Sequence, residues 1–130
     1  MEILQPAAWP KPKGFSQGIA ATGRMVFLSG QIGWDETETI VSDDFVAQAK
    51  QALRNVVAVV AETGGGPEHI VRLTWFVTDR DAYTNSLSEL GRAYREVMGR
   101  HYPAMSLLVV SALVEKAAKV EIEATAVLPE

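Results

Sequence analysis

The sequence contains no cysteine, and this absence excludes several classes of protein. Without cysteine the chain cannot form a disulfide framework, supply a thiolate nucleophile or build a cysteine-type zinc site. No other feature of the sequence indicates a bound metal or organic cofactor. We therefore expect neither.

Positive charge is scarce and does not cluster. The chain carries 12 Lys and Arg against 16 Asp and Glu, which gives a net charge of −4 at pH 7. The isoelectric point is about 5.2. Proteins that bind nucleic acid rely on clustered Lys and Arg to displace counterions from the phosphates. We therefore expect no nucleic-acid partner.

Long apolar runs are missing as well. No stretch reaches the length of a membrane span, and the first residues lack the basic segment and apolar run of a secretory signal. These absences predict no membrane partner and a cytoplasmic location.

What is present suits a single folded domain. The chain has 130 residues, of which 48% are hydrophobic and 22% charged, and this balance favours a globular domain over disorder. Residues 1–14 contain Pro6, Pro10 and Pro12, which fix φ and remove backbone donors. We therefore expect an irregular N-terminal arm followed by one domain that extends to residue 130.

Hydrophobic periodicity predicts strands that alternate with helices. Gly23-Arg24 is predicted as a hairpin turn, Ser42 as the N-cap of the first helix, and Gly64 as part of its C-terminal end. The glycines at 64–66 follow the predicted helix, so they indicate a helix end rather than a phosphate-binding loop. The predicted strands cover residues 15–22, 25–29, 69–78, 105–113 and 119–127, and the predicted helices follow residues 42 and 79. This order predicts an α+β fold with both helices on one face of the sheet.

The last two predicted strands carry the most information about a site. Residues 105–113 are apolar at nearly every position, which is typical of a strand buried on both faces. Residues 119–127 alternate, so Glu121 and Glu123 lie on the same side of their strand. These two carboxylates either edge a solvent-exposed sheet face or line a site.

Both faces of the predicted sheet are apolar, and the two helices of a monomer can cover only one of them. Residues 25–29 and 105–113 are apolar on both sides, whereas two helices cover one face only. Soluble monomers rarely expose apolar patches of that size. We therefore expect another copy of the chain to cover the second face.

Two segments resemble the RidA/YjgF family of enamine and imine deaminases. They are Pro103-Ala104-x-Ser106, with its following strand and Val120-Glu121-Ile122-Glu123-Ala124, and upstream Phe27-Leu28-Ser29-Gly30-Gln31. The resemblance runs from about residue 15 to residue 127. It implies a chorismate-mutase-like fold, a homotrimeric barrel, and a small-molecule ligand in clefts between subunits.

The resemblance also implies which residues line those clefts. Glu121 matches the carboxylate that positions a water for hydrolysis, and Ser29 and Gly30 match a strand-end pair that holds the ligand. Phe15 stands where many members have Tyr, and Gly91 aligns where others have Asn. Glu121 is thus the expected catalytic residue, and the others are expected to bind substrate.

Met105 is the main departure from the family pattern. Deaminating members have an Arg at this position that binds the substrate carboxylate, and a thioether offers neither charge nor donor. The expected ligand is therefore less anionic, or Arg100 or His101 of a neighbouring subunit binds its anionic group. Two functions stay open: hydrolytic deamination of an enamine or imine other than simple 2-imino acids, and a non-catalytic binding or regulatory trimer.

Overall fold

The computed structural model describes all 130 residues and shows an α+β fold. A single 3₁₀ turn, Pro67–His69, directly precedes the strand Ile70–Val77. None of the helices combines the length and the apolar character that a membrane-spanning helix requires. The elements are β1 (Glu2–Leu4), β2 (Gly18–Ala20), β3 (Arg24–Ile32), α1 (Phe45–Ala61), β4 (Ile70–Val77), α2 (Arg80–Thr84), α3 (Leu87–Met98), β5 (Ala104–Val109) and β6 (Val120–Leu128).

Four strands form the main sheet, in the order β3-β6-β4-β5. β4 and β5 are parallel and are joined through α2 and α3, whereas β6 runs antiparallel to both of its neighbours, β3 and β4. The last strand of the chain therefore lies inside the sheet. This position surrounds β6 with strands on both sides and brings Glu121 next to the end of β3.

One face of this sheet and the two longer helices enclose the hydrophobic core. The register pairs Ile122 with Trp75 and Ala124 with Leu73, and these side chains are buried on the helix side. The apolar stripe predicted for the first helix is confirmed, because its members are all buried: Phe45, Ala49, Leu53, Val56 and Val60. Leu90, Tyr94 and Met98 of α3 join the same cluster.

No element of the chain covers the other face of the sheet as completely. Phe27 is 73% exposed, Met25 58% and Leu108 46%. Phe27 pairs with Thr125 and Leu108 with Phe76, so both belong to the face opposite Ile122 and Ala124. The prediction that the helices protect only one face is therefore confirmed. We call this second surface the open face.

The N-terminal part of the chain differs from the prediction. The predicted hairpin at Gly23-Arg24 is wrong, because β2 pairs with β1 whereas β3 pairs with β6. The segment expected to be an irregular arm contains β1, whose Ile3 pairs with Ile19. The three residues of β1 precede the first proline, so their backbone donors are free to pair.

Further boundaries differ from those predicted from sequence, and the second predicted helix is divided into α2 and α3. The strand predicted to extend to residue 113 ends at Val109, next to the point where its partner β4 ends at Val77. Asp44, rather than Ser42, caps α1, because its carboxylate accepts a hydrogen bond of 2.9 Å from the backbone N–H of Ala47. The hydroxyl of Ser42 accepts from the N–H of Asp44 and so supports the cap.

Candidate functional site

A cavity of about 660 Å³ lies between α3, the edge strand β5 and the end of the N-terminal arm. Three of the residues predicted to bind substrate, Phe15, Gly91 and Met105, line it together. Met105 reaches this side of the sheet because it pairs with the core residue Leu73. The full lining is Lys13, Gly14, Phe15, Trp75, Tyr83, Leu87, Leu90, Gly91, Tyr94, Arg95, Tyr102, Met105 and Leu107.

Aromatic rings form one wall of this cavity. Tyr94 and Tyr102 are stacked, with ring centroids 5.4 Å apart and planes at 9°. The hydroxyl of Tyr94 donates a hydrogen bond of 2.6 Å to the carbonyl of His101. Burial raises the pKa of Tyr94 well above its ordinary value, and Tyr102 adds to the effect. Tyr94 is therefore a protonated donor held by its acceptor, and not a base.

The charged groups of the cavity are all cationic. Arg95 and Lys13 contribute to the lining, which contains no Asp or Glu. Neither residue belongs to an ion pair within the chain. A Cβ atom added at Gly91 would lie 3.2 Å from Nη1 of Arg95, so the guanidinium lies against the bare backbone of Gly91.

Ser29, Gly30 and Glu121 form a second group. The pairing of β3 with β6 shifts register between Leu28 and Gln31, and this irregularity contains Ser29 and Gly30. A Cβ atom added at Gly30 would lie 2.2 Å from Oε2 of Glu121, so the carboxylate rests directly against the glycine. Glu121 is half-buried and belongs to no salt bridge in the chain. The carboxylate is therefore free to accept hydrogen bonds from a water or a ligand.

The structure separates these two groups within one chain. Met105 pairs with Leu73 on the helix side, whereas Glu121 pairs with Phe76 on the open face. Glu121 lies two strands across the sheet and three residues along the strand direction from Met105. The usual strand spacing and rise per residue then place the two Cα atoms about 14 Å apart. A single chain therefore does not direct both side chains at one small ligand.

Arg100 and His101 lie outside both groups. Nε2 of His101 is 2.6 Å from the carbonyl of Ile70, which ties the segment before β5 to the start of β4. Arg100 is exposed and does not line the cavity. No group of three or more His, Asp or Glu side chains is arranged to hold a metal ion.

Sequence reasoning missed Arg95 and the Tyr94–Tyr102 stack. In the sequence Arg95 is one of three arginines near the C-terminal end of the second predicted helix, with Arg92 and Arg100, and such a group is typical of a solvated surface that the helix dipole favours. The spacing of Arg95 from Gly91 in the sequence could have indicated its position at the cavity, because residues four apart lie on the same helical face. A glycine at such a position leaves room for the long side chain of its neighbour.

The protein is therefore an α+β domain that has helices on one side of a mixed sheet and a ligand-sized pocket at the edge of that sheet. The chain belongs to the endoribonuclease L-PSP family, which is the RidA/YjgF family, because the sequence model of that family matches residues 7–128. The family resemblance predicted from sequence is therefore confirmed.

Three relatives illustrate the range of this family. The 2-iminobutanoate/2-iminopropanoate deaminase of Salmonella typhimurium is 39% identical over 116 residues, which cover 87% of this chain and 86% of the relative. A Rid family protein of Yersinia pestis has a TM-score of 0.86 at 28% identity, covering 98% of both chains. E. coli TdcF, solved with bound serine, has a TM-score of 0.69 at 32% identity, covering 98% of this chain and 99% of TdcF.

Proposed function

We propose that this protein binds a small molecule in clefts formed between copies of the chain, and that it hydrolyses an enamine or imine there. The proposed substrate is not a simple 2-imino acid, because Met105 replaces the Arg that binds a carboxylate in deaminating relatives. The identity of 39% with an iminobutanoate deaminase supports the reaction type. The serine bound to TdcF supports a small ligand.

The observation that carries the proposal is the separation of Glu121 from the cavity. Each group is incomplete alone, since the cavity has no carboxylate in its lining and Glu121 does not line it. The open face exposes Phe27 and Leu108, which a second copy would cover. A trimer would therefore bring Glu121 of one chain to the cavity of the next, in a cleft that neither chain forms alone.

The proposed chemistry uses a water held by Glu121. The carboxylate orients the water and accepts its proton as the oxygen adds to the carbon of the C=N bond. As the C=N π electrons move to nitrogen, Glu121 returns this proton to the nitrogen and a neutral carbinolamine forms. Glu121 then transfers the proton of the new hydroxyl to the amino group, so that the C–N bond breaks, ammonia leaves and the carbonyl forms. Backbone groups at Ser29 and Gly30 hold the ligand next to the carboxylate. Such imines hydrolyse readily in water, so positioning alone gives useful acceleration.

Substitution of Met105 tests the specificity part of the proposal. The wild type is expected to be slow on 2-aminoacrylate, and Met105→Arg is expected to raise kcat/KM about 10- to 100-fold, because a hydrogen bond to a charged group contributes about 1.5–3 kcal/mol. Pyruvate release from enzymatically generated 2-aminoacrylate, corrected for spontaneous hydrolysis, measures the rate. Met105→Leu, which adds no donor, is the matched control.

Glu121→Gln in the Met105→Arg background tests the catalytic part. An amide does not accept a proton from water as a carboxylate does, so the gain should disappear. If the wild type already matches an Arg-bearing relative, Met105 does not determine specificity. A gain that survives Glu121→Gln would exclude Glu121 as the residue that positions the water.

A non-catalytic binding trimer is the second candidate function. The apolar character of Phe15 and Met105 favours it, because both remove polar groups that deaminating relatives use. In this case the cleft binds its ligand with no turnover. Small molecules retained by the purified protein, identified by mass spectrometry, together with no activity in any variant, would support this candidate.

Nucleolytic activity, which the family description names, is not supported by the charge of this chain. A net charge of −4 and the lack of a basic run disfavour binding to the phosphate backbone of a nucleic acid. We predict negligible RNA retention in a filter-binding assay at 50 mM salt. Tight retention that weakens steeply with salt would contradict this prediction.

A further inference from the structure

The cavity beside α3 has a charge opposite to that of the chain. Arg95 and Lys13 are its only charged lining residues, on a protein of net charge −4. Neither is neutralised by an ion pair within the chain. Two unpaired cations beside an otherwise apolar pocket favour a ligand with one anionic end.

The position of Arg95 depends on Gly91. The two residues are four apart on α3 and thus lie on the same helical face. Nη1 of Arg95 is 3.2 Å from the point where a Cβ at Gly91 would stand, which is closer than ordinary van der Waals contact. The glycine therefore leaves the space in which the guanidinium lies across the helix at the cavity.

The neighbouring Arg92 provides a contrast on the same helix. Its Nη1 donates a hydrogen bond of 3.1 Å to the hydroxyl of Ser88, and it does not line the cavity. The two arginines have the same chemistry and helical context, but only Arg95 faces the pocket. Arg92 is consequently a matched control for Arg95.

The rest of the cavity suits a flat apolar group. The stacked rings of Tyr94 and Tyr102 form a wall, and Phe15, Leu90 and Met105 add apolar surface. Aromatic rings and a thioether both pack well against another ring. The pocket volume of about 660 Å³ exceeds what a ligand of three or four carbons would fill.

We propose that Arg95, placed by Gly91, binds the anionic end of a carboxylate ligand whose body is aromatic or bulky and apolar. Arg95 thereby replaces the anion-binding function lost at Met105 but holds the carboxylate at the α3 side of the cavity. This inference rests on the proposed function of the cavity as the ligand site, and it specifies the substrate class. A fork of guanidinium donors matches a carboxylate in two parallel hydrogen bonds.

Calorimetric titration with paired ligands tests this assignment. Phenylacetate is expected to bind the wild-type protein about tenfold or more tightly than phenylacetamide, which has the same shape without charge, and also more tightly than acetate. Arg95→Gln should remove the preference for phenylacetate over phenylacetamide and leave the affinity for phenylacetamide unchanged. Arg92→Gln should preserve the preference.

A second variant tests the role of the glycine. Gly91→Ala should weaken phenylacetate binding less than Arg95→Gln does, because the added methyl group requires the guanidinium to move by only a few tenths of an ångström, while the circular-dichroism spectrum stays that of the wild type. The inference would be overturned if phenylacetate failed to bind, or if Arg95→Gln kept the preference for phenylacetate over phenylacetamide. It would also be overturned if Lys13→Gln, rather than Arg95→Gln, removed that preference. Binding through Arg95 without turnover of any imine would support the inference and contradict the proposed hydrolysis, because calorimetry requires no reaction.

Discussion

Gly30 and Gly33, at the end of β3, are both crowded, but their neighbours differ. A Cβ at Gly30 would overlap Oε2, Cδ and Cγ of Glu121, which are all side-chain atoms. A Cβ at Gly33 would lie 2.6 Å from Cα of Gln48 and 2.8 Å from its carbonyl oxygen, which belong to the backbone of α1. The first contact concerns the candidate site, and the second concerns the close approach of α1 to the sheet.

The two alanine substitutions should therefore affect different properties of the protein. Gly33→Ala is expected to destabilise the protein by about 1–3 kcal/mol, because α1 must move away from the sheet. Gly30→Ala is expected to cost less than Gly33→Ala, because the half-buried side chain of Glu121 moves more easily than helix backbone does, but to reduce imine hydrolysis by displacing the Glu121 carboxylate. Urea unfolding and the hydrolysis assay measure the two effects. Equal stability losses would show that Glu121 cannot rotate.

At the level of elements, Gln48 joins α1 to the segment that leads into β6. Its Nε2 donates hydrogen bonds of 2.9 Å to the carbonyls of Ser42 and Ala117, and its Oε1 accepts one of 2.8 Å from the N–H of Lys119. The side chain is fully buried. Because Glu121 follows Lys119 by two residues, this amide also fixes the start of the strand that carries the candidate catalytic group.

Replacement of Gln48 should be costly despite the similar size of the new side chain. Gln48→Leu leaves three backbone groups without their partner, and we expect a loss of about 2 kcal/mol or more in the free energy of unfolding. Gln51→Leu is the control. Its amide bonds only Asn55 in the same helix, so the loss should stay within about 0.5 kcal/mol. A neutral Gln48→Leu in urea titrations would mean that water replaces the amide.

The whole molecule has an apolar surface that one chain leaves uncovered. The open face carries Phe27, Met25 and Leu108, together with Arg72 and Glu123, which form no ion pair with each other within the chain. Two chains in contact would remove the apolar side chains from water and bring the charged ones close to new partners. This surface favours association between copies of the chain, and the number three in the proposed trimer is what the family resemblance implies.

Substitution of Phe27 should prevent association between chains without unfolding the single chain. Light scattering coupled to size exclusion is expected to give about three chain masses of 14.1 kDa for the wild type. Phe27→Lys should shift the protein to monomer while leaving the secondary structure intact, because Phe27 contributes little to the core of its own chain. Phe27→Leu should remain assembled. A stable wild-type monomer at micromolar concentration would exclude the proposed architecture.

Features that depend on neighbours along the chain could be predicted from the amino-acid pattern. The stripe from Phe45 to Val60 predicts α1 because helical periodicity marks one face, and the alternation after Lys119 predicts β6 in the same way. The family motifs around Ser29, Gly30 and Glu121 indicated residues that lie together across two paired strands.

Contacts between segments far apart along the chain could not be predicted in this way. Periodicity shows which side of a strand is apolar but not which strand pairs with it, so the partner of β2 and the insertion of β6 between β3 and β4 could not be predicted. The separation of Met105 from Glu121 follows from that sheet order. Arg95 becomes a cavity residue because the arm and β5 close over the same face of α3, a contact between segments far apart in sequence.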